Sequence, residues 1–181
     1  MIEIKKKIAH KTLDILKKKS FNSISLDEIL NRNRNKKINI NSKFDLLKNI
    51  NNYVDHQLIT DMNSLEISST KDMLFEVLMA RFDILELNRK SFLEIYKYLK
   101  KKPKYFVKLL PSLIESIIII AELSKYNING LKGTVKLKGL FVVYFVTFFQ
   151  WLDDDNPSLE KTMTALDKYL DQAEKIGKFF L

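Results

Sequence analysis

Only four glycines and three prolines punctuate the 181 residues of this chain. Reverse turns draw heavily on those two residue types, so a chain this poor in them has few places to form hairpins and few ways to build a sheet. No run of six or more residues shows clean apolar/polar alternation bounded by turn signals, the mark of a half-buried strand. Hydrophobic residues make up 46% of the sequence, enough for a sizeable core. The expected fold class is all-α.

The spacing predicts a first helix over about 2–19, with Ile4, Ile8, Ile15 and Leu16 on one side and lysines on the other. "FNSISLDEIL" then supplies a helix start: Ser25 as N-cap, Glu28 to close a capping box, and Ile24 to staple onto Ile29. Ser42 and Asp45 offer a second box, opening a helix over about 43–59. Three short helices in the first 60 residues is the arithmetic of a helix-turn-helix head. After a polar connection at 60–70, Ser69 and Thr70 cap a helix with the apolar face Leu74, Phe75, Leu78, Phe82 and Leu85. A short helix follows near 89–101, and Pro103 is placed to begin the next, which runs to about 125. That helix includes "LIESIIIIAEL", apolar on nearly every side and expected to be central.

"NINGLKG" (127–133) should break it. The uncharged run "GLFVVYFVTFFQWL" (139–152) reads as a buried core helix, shorter than the roughly 20 residues a bilayer span needs. Asn156 as cap and Pro157 at the first helical position should start a last helix. In it Leu159, Met163, Leu166, Leu170 and Ala173 recur at spacings of 4, 3, 4 and 3, a narrow seam suited to another helix.

The net charge of +9 is unevenly placed. Residues 1–60 hold 13 Lys/Arg against 6 Asp/Glu, whereas the remaining 121 hold 18 against 16. A basic head on a near-neutral body points to polyanion contact, with nucleic acid or an anionic membrane surface. A genome-wide taste for Lys, Asn and Ile produces basic surface as well. Within and beside "NRNRNKKINI", the side chains Arg32, Arg34, Lys36, Lys37 and Lys43 suit phosphates, contacts that position a protein without specifying sequence. Asn and Arg also pair with adenine and guanine edges, which leaves base reading open.

Catalytic chemistry is poorly provided for. The absence of cysteine removes disulfides, thiolate nucleophiles and cysteine metal sites together. His10 and His56 are the only histidines, and neither has carboxylates at metal-ligand spacing on one face. There is no Gly-rich phosphate loop or nucleophile motif, and three acids at Asp153–Asp155 are what a following helix N-terminus favours. No catalytic residue, metal or cofactor is therefore assigned, and an enzyme is not expected. The charged opening lacks the apolar stretch of a secretory signal, so the expected location is the cytoplasm.

At this point a resemblance becomes visible. "AHKTLDILKKKSFNSISLDEIL" is similar to the first helix and second-helix start of TetR-type transcriptional regulators, and "SKFDLLKNI", with Ser42 and Lys43, to their fourth helix. "DMLFEVLMARFDILELNR" and "GLKGTVKLKGLFVVYFVTFFQWLDDDNPSLEKTMTALDKYL" resemble the body of an alphaproteobacterial-like group of that family. The resemblance implies a TetR-like fold, with a three-to-four-helix head over 1–60 and a ligand-binding and dimerisation body over 61–181. It implies ligand-responsive DNA binding and a homodimer through the last two helices, with Met163, Leu166 and Leu170 at the interface.

The head departs from the family pattern. Only 12 residues separate Ile29 from Ser42, without the Gly turn or the Tyr-x-x-Phe ending of a reading helix. Asn-rich sequence competes with helix by bonding its own backbone, so the reading helix is expected to be degenerate.

On the body helices, Phe75, Phe82, Phe92, Tyr96, Phe106, Tyr144, Phe148 and Trp151 either line an apolar ligand pocket or pack as solid core. Residues from about Pro103 to Leu170 also resemble the ubiquinone-biosynthesis accessory proteins, which share the TetR-like fold and bind lipid. That second resemblance implies an apolar or isoprenoid ligand, peripheral membrane contact and no DNA reading.

Overall fold

The computed structural model describes residues 2–30, 39–62 and 69–180, with backbone alone for Ile2 and 176–180. Among the described residues the chain is all-α, with eight helices and no strand. They are α1 (Ile2–Leu16), α2 (Leu26–Leu30), α3 (Lys43–Asp61), α4 (Thr70–Glu86), α5 (Arg89–Lys101), α6 (Pro103–Leu123), α7 (Gly130–Leu152) and α8 (Glu160–Phe180). The chain divides into two compact units. The first comprises Met1–His56 and Leu87–Leu113, the second Gln57–Glu86 and Ile114–Leu181.

In the first unit, α1 packs on α2 and α5. Ile8, Leu13, Leu16, Phe21, Leu46 and Ile50 share one core with Ile95 and Tyr98 of α5 and Leu109 of α6. Polar groups in this core are satisfied locally: the Ser91 hydroxyl donates to the Leu13 carbonyl at 2.6 Å, fastening α5 to α1. The helix starts form as the sequence requires. The Glu28 amide donates to Ser25 Oγ at 3.1 Å, and the Asp45 amide to Ser42 Oγ at 3.1 Å. The Glu28 carboxylate turns to Lys19 Nζ, 2.6 Å away. α1 stops at Leu16, short of the expected 19, because the chain turns to bring Phe21 into the core, where its ring meets Tyr98 at 4.7 Å.

In the second unit α8 lies chiefly on α7 and also on α4. Lys71 of α4 reaches both Asp167 (3.0 Å) and Asp171 (2.5 Å) of α8. The core includes Val77, Leu78, Phe82, Ile117, Ile120, Trp151, Leu159 and Leu166.

Three expectations fail in this unit. The expected break after α6 is present at 124–129, but α7 begins at Gly130, nine residues before the expected 139, so "GLKG" is its opening turn. Gly130 takes a φ of +69°, and a Cβ on Gly133 would lie 1.9 Å from the Ile128 carbonyl carbon, so this turn closes only over glycine.

Nor is α7 a buried core helix. At 23 residues it is long and apolar enough, by length and composition, to cross a bilayer, and most of its apolar stretch is not buried. Leu140, Val143, Tyr144, Thr147 and Trp151 face inward, while Leu131, Val135, Val142 and Phe149 are half or more exposed. "LIESIIIIAEL" is likewise central on one side only: Ile117 and Ile120 are buried and Ile114 is exposed.

Finally, α8 starts at Glu160 rather than at Pro157. Asn156 Oδ1 accepts the Ser158 amide at 3.1 Å, forming a local turn, and Leu159 follows at a φ of +55°. The capping oxygen comes from Asp154: its Oδ2 accepts both the amide and the hydroxyl of Thr162 at 2.8 Å.

Candidate functional site

Charge separates along the structural division more sharply than along the sequence. The first unit holds 21 Lys/Arg against 7 Asp/Glu, a balance of +14; the second holds 10 against 15, a balance of −5. The difference from a count along the chain lies in Leu87–Leu113. This segment brings eight Lys/Arg and a single acid, Glu94, to the head. Sequence reading missed it because it lies beyond the expected boundary at residue 60, although "KYLKKKPKYFVK" was a visible signal.

Of the residues expected to meet nucleic acid, Arg32, Arg34, Lys36 and Lys37 lie outside the described residues. Lys43 opens α3 and is half-buried; its ammonium donates to the carbonyls of Phe21 (3.3 Å) and Asn22. Burial, with the Lys102 ammonium close by, lowers its pKa from the usual lysine value. Lys11 anchors the end of α2, donating to the carbonyls of Glu28 (2.8 Å) and Ile29 (3.0 Å). A concavity of about 430 Å³ opens along α1, lined by Lys7, His10, Lys11, Asp14, Ile15 and Lys18. There His10 Nδ1 approaches Asp14 Oδ2 at 3.0 Å.

The eight aromatic candidates do not all fall in one unit. Phe92, Tyr96 and Phe106 belong to the first, where Phe92 packs against the core named above. Phe75, Phe82, Tyr144, Phe148 and Trp151 belong to the second. Four of these stand in a continuous row: Phe82 stacks on Tyr144 (5.6 Å), Tyr144 meets Phe148 (6.5 Å), and Phe148 stacks on Trp151 (5.5 Å).

The row is fastened by two polar side chains of α4. Buried Arg81 donates from Nε to the Tyr144 hydroxyl at 3.3 Å, and Trp151 Nε1 donates to Glu86 Oε2 at 2.9 Å. Neither α4 partner was anticipated, since an arginine within an apolar pattern gives no sign in sequence of whether it turns inward. Of the residues expected at an interface between copies, Leu166 and Leu170 are buried where α8 packs within its own chain, and Met163 is exposed.

No family model matches the sequence, and no curated protein matches it at a significant level.

Proposed function

We propose that this chain is a TetR-like, ligand-responsive DNA-binding regulator whose reading element is degenerate, so that its head holds duplex mainly through phosphates. The observation that carries the reading is the charge division, +14 on the unit of α1, α2 and the start of α3 against −5 on the other. A surface so one-signed gathers a polyanion from solution and holds it by releasing the counterions of the duplex. The capped helix starts at Ser25 and Ser42 fix where α2 and α3 begin, as a duplex-docking head needs. The ring row from Phe82 to Trp151 is the body region suited to an apolar effector.

Replacing Arg32, Arg34, Lys36 and Lys37 together by alanine tests this. Affinity should fall alike on the chain's own promoter DNA and on random duplex, and its salt dependence should flatten by about one unit of slope per lost contact. A wild-type preference for one operator above about a thousandfold, the range of specific binders, overturns the degenerate reader. An absence of duplex binding overturns the regulator.

The exposed apolar side of α7 favours a second reading, a lipid- or isoprenoid-binding accessory protein that no longer reads DNA. Copurified lipid identified by mass spectrometry, in a protein that ignores duplex, selects it.

A further inference from the structure

The first unit carries a lysine cluster to which the reading above assigns no contact of its own, at the corner where α5 ends and α6 begins. Lys100, Lys101, Lys104 and Lys108 are exposed there, and Lys102 is half-buried between them. The one acid of the segment, Glu94, is taken by Lys97 at 2.8 Å. Among the described residues no carboxylate pairs with any of those five lysines.

Besides the shared apolar core, Asn22 bridges the corner to the start of α3. Lys102 Nζ donates to Asn22 Oδ1 at 3.0 Å, and Lys43 Nζ donates to the Asn22 carbonyl. Two ammonium groups are thus held beside each other on one asparagine, and the lowered pKa of Lys43 reflects that crowding as well as burial. Two more contacts hold the cluster in place: Lys102 Nζ lies 5.0 Å over the Tyr98 ring and Lys104 Nζ 5.5 Å over the Tyr105 ring, the two rings being 5.5 Å apart. Like charges fixed in place without a counter-charge are a surface whose partner is an anion with repeated charges.

We infer that the α5–α6 corner, with Lys43, is a second phosphate-binding surface that carries the duplex contact beyond the helix-turn-helix region. The inference rests on the DNA-binding reading. Two observations favour a nucleic-acid backbone over a lipid headgroup. Lys43 ties the corner to the start of α3, which directly follows the basic stretch assigned to duplex. The α6 side of the corner exposes one large apolar residue, Val107, whereas a membrane-seated helix presents a broad apolar face.

The test uses the full chain with Lys100, Lys101 and Lys104 changed together to glutamine. A second variant, Lys104→Gln with Lys108→Gln, probes α6 alone. Circular dichroism melting should be nearly unchanged in both, because the altered side chains are exposed and the one contact given up is that of Lys104 with the Tyr105 ring. Fluorescence anisotropy with a labelled random duplex is read from about 50 to 200 mM salt. Three lost contacts lower the slope of log affinity against log salt by about 2.7, so the advantage of wild type over the triple variant shrinks roughly 40-fold across that range. The α6 variant should lose about 1.8 of slope.

Duplex binding by wild type with an unchanged slope in both variants overturns the inference and leaves the regulator reading standing. Absence of duplex binding by wild type overturns that reading, and this inference falls with it. Binding to phosphatidylglycerol vesicles that the triple variant loses, while its duplex slope is kept, assigns the corner to a lipid surface and overturns the nucleic-acid assignment.

Discussion

Asp154 lies in the short connection between α7 and α8, fully buried, eight residues before the residue it caps. Replacing it by alanine removes both Thr162 bonds to Oδ2, at 2.8 Å, and the Asn156 amide bond to Oδ1, at 3.3 Å. Thr162 is itself fully buried, so its amide is left without an acceptor and out of reach of water. A lost cap costs about 0.5–2 kcal/mol, and an orphaned buried donor about 1–3 kcal/mol. These figures overlap, since they count the same bonds, so the larger range applies and Asp154→Ala should cost about 1–3 kcal/mol. Asp154→Asn keeps one acceptor oxygen and should recover roughly half of that loss.

Burial pushes the Asp154 carboxyl upward, but the amide and hydroxyl of Thr162, the Asn156 amide and the Lys161 charge outweigh it and hold the pKa below the ordinary 3.8. A carboxyl lowered on folding stabilises in full above its unfolded value, and the contribution fades as pH falls through the lower folded one. The gap between wild type and Asp154→Ala should therefore be flat at neutral pH and narrow below about pH 4.

Urea denaturation followed through Trp151, the only tryptophan and a core residue of the same unit, measures that gap. A loss below about 0.5 kcal/mol, the scale of ordinary surface changes, refutes the capping role. A gap that stays constant into acid refutes the charge argument alone.

Gly133→Ala sets a Cβ against Ile128 backbone atoms at 1.9 and 2.0 Å, which have no rotamer to step into, and should cost at least the 1–3 kcal/mol of an overpacked site, about the same by melting as by urea. Its control is Gly139→Ala, whose Cβ meets nothing within 4 Å and should stabilise α7 by up to about 1 kcal/mol. Val142 and Phe149 recur with Val135 at intervals of seven along the exposed side of α7, the repeat of a helix that pairs with a helix. In light scattering, wild type should show about twice the 21.3 kDa chain mass and the double variant Val142→Asp, Phe149→Asp the single mass. A monomeric wild type refutes the pairing.

Features settled within a few residues were legible in the sequence. Ser25, Ser42 and Ser69 cap α2, α3 and α4 through bonds to the residue three positions on, and Pro103 opens α6 as its missing N–H allows. Features settled by a distant neighbour were not. The opening of α7 depends on Ile128 passing too close to Gly133 for any side chain, whereas "NINGLKG" alone reads as a break. The local signal at Asn156–Pro157 pointed to a helix start, yet Asp154 reaches past it to Thr162.

Periodicity placed Tyr144, Phe148 and Trp151 on one face but gave no sign of what that face meets, namely Phe82, Arg81 and Glu86. For the same reason it grouped Phe92, Tyr96 and Phe106 with rings that belong to another unit. The α5–α6 lysines were in plain view, but which unit they join is decided by Ile95, Tyr98 and Leu109 packing into the α1 core.

The charge division also governs how the protein behaves among copies of itself. Its isoelectric point near 9.5 averages two unlike surfaces, so the whole chain repels its copies while the acidic unit of one molecule attracts the basic unit of another. At low ionic strength, where the field of a charge reaches about 30 Å at 0.01 M, that attraction should draw molecules into reversible assemblies, read as turbidity. Added salt shortens the reach to about 8 Å near 0.15 M and should clear them, and a turbidity that does not fall with salt refutes this consequence.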